Sequence, residues 1–288
     1  MRGGPSRGSA MIAIFQGRQR VDSIAGNDRG LAYGDGLFET LRAHRGTLPW
    51  WPAHWARLTR GAQRLRLPLP DPIQVRDEAL ALLDGGDGVI KLLLSRGSGG
   101  RGYAPPVDAT PTWVLSRHPL PPPVPAAGLA LRWCTTTLAI QPALAGLKHC
   151  NRLEQVLARG EWDDPLALDR DADEGLMRSG EGDVVCATSA NLFANVGGRW
   201  RTPAVDRCGV AGVCRDWVLA ALDADVGRLA VVEIESATAV FLCNAVRGIL
   251  PVARLGTRHW SMDPEVVALQ RRLATAHPAF VSAAPLFT

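Results

Sequence analysis

A lysine amine that forms a covalent bond or moves a proton has only two candidates among these 288 residues, Lys91 and Lys148. Lys148 lies in Ala143–Glu161, ALAGLKHCNRLEQVLARGE, an irregular Gly-containing stretch just ahead of a predicted helix. Asn151 is the expected N-cap of that helix and Glu154 its capping-box partner. Leu147 and its apolar neighbours would disfavour the charged amine by desolvation, as carbonyl chemistry at a lysine requires. The ordinary alternative is a solvated surface lysine. Lys91 falls inside the leucine-rich run GVIKLLLS and suits a plain position on a strand.

Three further segments could hold anions. Cys208–Arg215, CGVAGVCR, is a glycine-punctuated loop entering a helix, where unpaired backbone N–H groups suit a phosphate. Arg57, in His54–Leu58, has a fork of donors that could reach the same kind of group. Ser95–Tyr103, SRGSGGRGY, follows a strand and carries Arg96 and Arg101, each able to grip a carboxylate. Taken singly, each has a plain reading as well: a connection, a solvated arginine, a mobile surface loop.

The elements that must position these residues follow from apolar spacing. Met11–Phe15 is strand-like, and Trp51–Leu67 repeats apolar residues at helical intervals through Trp51, Trp55, Leu58, Ala62 and Leu65. Asp71–Leu83 reads as a second helix and Gly88–Ser95 as a strand. The run HPLPPPVPAAG, 118–128, favours an extended connector. The expected organisation is a small α/β domain over 11–117, a proline-rich linker over 118–128 and a larger α+β or barrel-like domain over 129–288. In the larger domain the predicted strands are Leu129–Thr136, Val184–Thr188, Leu192–Asn195, Leu229–Glu235 and Ala239–Cys243. The predicted helices there are Asn151–Glu161, Val213–Leu222 and Asp263–Ala274.

Composition narrows the function. The six cysteines are scattered without zinc-like spacing, which argues against a structural metal and for free thiols. A formal charge of +4, with arginines dispersed among acids, gives nucleic acid no patch to meet. No run of about 18 apolar residues offers a membrane span, and Met1–Ala10 lacks an apolar stretch suited to secretion. Met1–Ala10 reads as an extension ahead of a start at Met11. A cytoplasmic protein acting on a small molecule is the expectation.

In combination these pieces resemble the fold-type IV pyridoxal-phosphate enzymes, and among them most closely the aminodeoxychorismate lyases. The resemblance is carried by DRGLAYGDGLFET (28–40), HWARL (54–58), SRGSGGRGY (95–103), AGLKHCNRLEQVLAR (145–159), ANLF (190–193) and CGVAGVCR (208–215), six motifs in family order. It implies a PLP-dependent carbon–oxygen lyase, usually a homodimer, that makes 4-aminobenzoate for folate from aminodeoxychorismate and releases pyruvate. Lys148 would then carry the cofactor as a Schiff base and act as base, with help from Thr40 in protonation. Arg57, the Val213 and Cys214 amides and the Ala245 region would hold the phosphate. Arg96 and Arg101 would take the two substrate carboxylates, with Tyr33 a further pocket residue. One position departs from the family pattern. The Glu usually found five residues before the Asn of ANLF, facing the pyridine nitrogen, is here Cys186, whose thiol lacks a fixed charge. That handicaps transamination more than an elimination driven by aromatisation. The alternatives are a D-amino-acid or branched-chain aminotransferase, and a non-catalytic PLP-binding scaffold.

Overall fold

A computed structural model describes residues 11–166 and 169–281, so the expectation for Met1–Ala10 lies outside the described residues. The chain divides into two units. One runs to Leu120 and also takes Lys148–Asn151; the other comprises Pro121–Leu147 and the chain from Arg152 onward.

The first unit contains β1 (Ile12–Gln16), β2 (Gln19–Val21), α1 (Arg29–Tyr33), β3 (Gly36–Ala43), α2 (Trp51–Leu65), α3 (Pro72–Leu83), β4 (Gly88–Ser95) and β5 (Thr112–His118). Its five strands form an antiparallel sheet in the order β2-β1-β5-β4-β3, which leaves β3 at an edge. Period-2 alternation sorts β3 into a buried set, Leu37, Glu39, Leu41 and Ala43, and a half-buried set that includes Phe38 and Thr40. Helix α2 buries His54, Arg57, Leu58, Gly61 and Ala62, a stripe at helical spacing. Gly61 permits close approach, since a Cβ there would lie 2.9 Å from Leu37 Cδ1. The predicted helix 51–67 ends early because Arg66 turns left-handed at φ +52°. Asp71 caps α3, its Oδ1 accepting from Ile73 N at 3.0 Å.

The second unit contains β6 (Leu129–Trp133), α4 (Leu153–Gly160), β7 (Glu174–Arg178), β8 (Val184–Ala187), β9 (Asn191–Val196), β10 (Arg199–Pro203), α5 (Val213–Ala221), β11 (Ala224–Gly227), α6 (Val231–Ser236), β12 (Ala239–Asn244), β13 (Gly248–Leu255), β14 (Arg258–His259) and α7 (Pro264–Ala276). The sheet order is β11-β10-β9-β12-β13-β6-β7-β8, with β14 on β13. Val184 on β8 makes one isolated bridge to Leu229, just past β11, so the sheet curls into a half-barrel without β8 and β11 pairing as strands. Leu131, Leu176, Leu192, Leu229 and Leu242 fill its interior.

Two local expectations are corrected. The predicted strand Leu229–Glu235 is mostly helix α6, because Glu233 Oε2 accepts from Ala230 N at 2.8 Å and closes a first helical turn that the β-branched residues had disguised. The predicted Asn151 cap with its Glu154 box does not form. α4 begins at Leu153 behind Arg152, which makes no side-chain cap, while Glu154 Oε1 instead accepts from Ala139 N at 2.7 Å. Asn151 belongs to the first unit, against Gly34. No helix among the described residues is long and apolar enough to cross a membrane.

Candidate active site

Lys148 is placed by main-chain pairing. Phe38 N donates to Lys148 O at 2.9 Å, Cys150 N donates to Gly36 O at 2.9 Å, and Leu37 bridges to His149. Residues 148–151 thus extend the open edge of β3. A left-handed Gly34, φ +64°, makes room for this insertion, since a Cβ there would meet Asn151 Oδ1 at 2.3 Å. The Lys148 Nζ stands 4.3 Å from the centroid of the Phe38 ring, and Lys91 Nζ stands 5.4 Å from the same ring. Both lysines therefore share one face of the sheet, with Thr40 two residues along from Phe38 and in register opposite Lys91. Lys91 is exposed and Lys148 half-buried.

The opposite face of β3 holds a buried ionic network. Arg57 Nε donates to Glu39 Oε1 at 2.8 Å, its Nη2 also reaches Glu39 Oε2, and His54 Nδ1 lies 2.7 Å from Glu39 Oε2. Burial alone would raise the Glu39 carboxyl, but Arg57, by charge and hydrogen bonds, and His54 together bring it down to about 2. Burial lowers His54 below its ordinary range, outweighing Glu39, so the imidazole is neutral and Nδ1–H donates. Its Nε2 is buried without a hydrogen-bond partner among the described residues. Glu39 fixes the plane of the Arg57 guanidinium. Sequence reasoning passed over Glu39 and His54. The available signal was the i, i+3 spacing of His54 and Arg57 on one helix face, together with the one acid in the alternating set Leu37, Glu39, Leu41 and Ala43 of β3.

The loop after β4 corrects one expected substrate contact. Arg96 is buried, and its donors already have internal acceptors: Nε and Nη2 on Asp35 at 2.7 and 3.0 Å, Nη1 on Arg66 O at 2.6 Å, and Nη2 on Leu65 O at 2.9 Å. A guanidinium so committed ties β4 to α2 and has no fork left for a substrate carboxylate. Burial would raise the Asp35 carboxyl, but Arg96 and Arg29 hold it below its ordinary range. Arg101 is exposed and makes no ion pair or hydrogen bond among the described residues. Tyr33 accepts at Oη from Gly102 N at 3.2 Å, so it touches the loop that carries Arg101.

In the second unit, Gly209 O accepts from Gly146 N at 3.0 Å and Gly146 O accepts from Ala211 N at 3.1 Å. Asn191 Nδ2 donates to Val210 O at 2.9 Å. These bonds set the loop ahead of α5, whose N-cap, Gly212, has no side chain to satisfy the first helical N–H groups. A larger N-cap is excluded, because a Cβ on Gly212 would lie 2.0 Å from Asn191 Oδ1. The start of α5 lies beside the end of β12, where Cys214 neighbours Cys243. The turn carrying Ala245 follows at once, folded by Asn244 Oδ1 accepting from Val246 N and Arg247 N at 3.0 and 2.8 Å. Val213, Cys214 and the Ala245 turn are thereby gathered at one place.

Cys186, on β8 opposite Met177, is buried, and burial pushes its thiol up to about 12. It is neutral. Neither nearby acid replaces it: Asp183 is paired with Arg228 at 3.3 Å and Glu181 with Arg207, both at the surface. An acid the sequence reading missed, Glu174 on β7, accepts from the Thr188 and Ser189 hydroxyls and from Gly175 N. Of the expected site residues, Lys148, Thr40, Arg57, Tyr33, Arg96 and Arg101 belong to the first unit, and Cys186, Val213, Cys214 and Ala245 to the second.

Similarity to known proteins extends over both units. The amino-transferase class IV family model matches residues 36–255. The aminodeoxychorismate lyase of Vibrio harveyi is 36% identical over 255 residues, covering 85% of this chain and 92% of its own. The crystal structure of 4-amino-4-deoxychorismate lyase from Pseudomonas aeruginosa matches with a TM-score of 0.82 at 42% identity, covering 91% of this chain and 98% of that one. A putative branched-chain-amino-acid aminotransferase of Methanocaldococcus jannaschii is 28% identical over 241 residues, 80% of this chain and 82% of its own.

Proposed function

We propose that this chain, which belongs to the amino-transferase class IV family, is a fold-type IV, pyridoxal-phosphate-dependent lyase that converts 4-amino-4-deoxychorismate into 4-aminobenzoate and pyruvate. The observation that carries the reading is the full-length likeness to two lyases, greater than that to the aminotransferase. Cys186 favours the same choice.

The residues suit the cofactor. Lys148 offers an amine for its aldehyde, Arg57 a guanidinium held in one plane for its phosphate, and α5 an N-terminus with no side-chain cap. Pyridoxal phosphate, when bound, supplies an electron sink for the carbon that bears the substrate amine. Val213 and Cys214 would offer their N–H groups to the phosphate, and the Ala245 turn would lie beside them. Lys148 is both tether and base: its Nζ takes the proton from the substrate ring. Thr40 or a water protonates the enolpyruvyl oxygen as the carbon–oxygen bond breaks, and the ring becomes aromatic. Arg101 holds a carboxylate of the substrate, with Tyr33 beside it.

The test is to supply aminodeoxychorismate to purified holoenzyme with no 2-oxo acid and follow pyruvate. Release without an acceptor is the expected result. Amino transfer that needs an acceptor would make the chain an aminotransferase, and neither reaction would make it a scaffold. A neutral thiol gives the ring nitrogen no charge, so Cys186→Ala is expected to change the rate of pyruvate release by less than about threefold. A loss above about a hundredfold would show that the thiol takes part.

A homodimer belongs to the same reading. α4 exposes Leu153, Val156 and Leu157 at 75, 62 and 64%, an apolar stripe at i, i+3, i+4 that a second copy would cover. The mass of the protein in solution checks this. A place in folate synthesis and in a reducing, cytoplasmic compartment also belongs to it, supported by six free cysteines.

A further inference from the structure

We propose that Arg29 is a positioning residue for carboxylate recognition: by holding the main chain of Gly102–Ala104 it sets where Arg101 presents its guanidinium. The inference rests on the reading of Arg101 as a substrate contact.

The loop from Gly97 to Ala104 has no repeating structure, and Gly97 and Gly102 lie at φ +91° and +97°. Left alone, such a segment would sample many conformations and carry Arg101 with it. α1 prevents this. Arg29 is only 4% exposed, and its Nη1 donates to Gly102 O at 3.0 Å and Ala104 O at 3.3 Å, while Nη2 donates to Tyr103 O at 2.9 Å. Three successive carbonyls on the C-terminal side of Arg101 are thus gripped by one guanidinium. The near end of the loop is fixed as well, with Arg29 N donating to Gly97 O at 2.9 Å and Gly99 N to Asn27 O at 3.2 Å.

Arg29 is itself oriented. Its Nε donates to Asp35 Oδ2 at 2.8 Å, and Asp35 is anchored by Arg96. The guanidinium stacks 4.9 Å from the Tyr33 ring centroid, and Tyr33 Oη takes the Gly102 N–H. Arg29 thus stands behind the loop that Arg101 tips, while Arg101 stays exposed. An arginine is needed here because the carbonyls lie around a planar fork. A lysine has one nitrogen and cannot span them while keeping Asp35. A shift of about 1 Å in a group that aligns a substrate can cost about a hundredfold.

The experiment uses the holoenzyme and Arg29→Lys, Arg101→Ala and the double variant, with Tyr33→Phe as a milder loosening of the loop. Pyruvate release from aminodeoxychorismate is followed at varied substrate. Arg29→Lys should raise KM about tenfold or more and leave kcat within about threefold, and Tyr33→Phe should move KM in the same direction. In the Arg101→Ala background Arg29→Lys should add less than about twofold, because it acts through Arg101. An undiminished effect in that background, or one confined to kcat, overturns the proposal. Trypsin cleavage after Arg101 reads the clamp without substrate, and Arg29→Lys should speed it about tenfold. Equal cleavage of wild type and variant also overturns the proposal. A wild type that releases no pyruvate yet shows this cleavage difference would overturn the lyase reading and leave the clamp supported.

Discussion

Replacing Lys148 by alanine is expected to lower pyruvate release by at least about a thousandfold and to abolish the visible absorbance of the lysine-bound cofactor. One nitrogen is asked to do two things, to tether the cofactor and to move a proton, so its loss removes contributions that no neighbour can share. Lys91 is the informative control. Its Nζ lies over the same Phe38 ring, at 5.4 Å against 4.3 Å. Proximity to one aromatic face therefore does not separate the two amines. Burial does, since Lys91 is exposed on β4 whereas Lys148 is half-buried on the segment added to β3. Lys91→Ala should keep both the absorbance and most of the turnover. An absorbance band that survives Lys148→Ala and disappears with Lys91→Ala would reverse the assignment.

Lys148 was legible because lysine is scarce in this chain, but its placement was not. The backbone bonds between Phe38 and Lys148 and between Cys150 and Gly36 join residues more than a hundred apart in sequence, and main-chain pairing leaves no trace in side-chain identity. The same pairing draws Asn151 into the first unit, which is why the expected capping box fails although its residue types are right. Unbroken apolar runs and helical repeats were readable: β4 falls on Gly88–Ser95 as expected, and α3 and α5 differ at their ends by one residue. Several strands with interspersed polar residues were not. β10 reads RWRTP, and β13 carries Pro251, whose pairing with β6 begins only at Val252. Arg96 and Arg101 look alike in sequence. What divides them is Asp35 and two carbonyls at the end of α2, acceptors that only the folded chain brings to Arg96.

Glu39→Gln is expected to destabilise the protein by about 3–5 kcal/mol, because it leaves the buried Arg57 charge without its counter-ion. Against a total of about 5–15 kcal/mol, that is a large fraction. Gln matches Glu in size, so packing around Leu37 and Leu41 should survive and the loss is electrostatic. The pH dependence gives the identifying signature. Folding holds Glu39 at about 2, below its ordinary 4.5, so its contribution is present above pH 4.5 and disappears as pH falls through 2. A shift of that size corresponds to about 3 kcal/mol. His54 acts with the same sign: it is lowered from 6.5, is buried neutral, and loses its contribution as acid forces it to charge. Wild-type stability, followed by urea unfolding, should therefore fall from about pH 6.5 downward and more steeply below 4.5. The variant should keep the upper part of the decline and lose most of the lower part, so that the two curves converge toward pH 2. Parallel curves across this range would mean that Glu39 is not held as a carboxylate by Arg57, and the network would then not fix the guanidinium proposed to grip the phosphate.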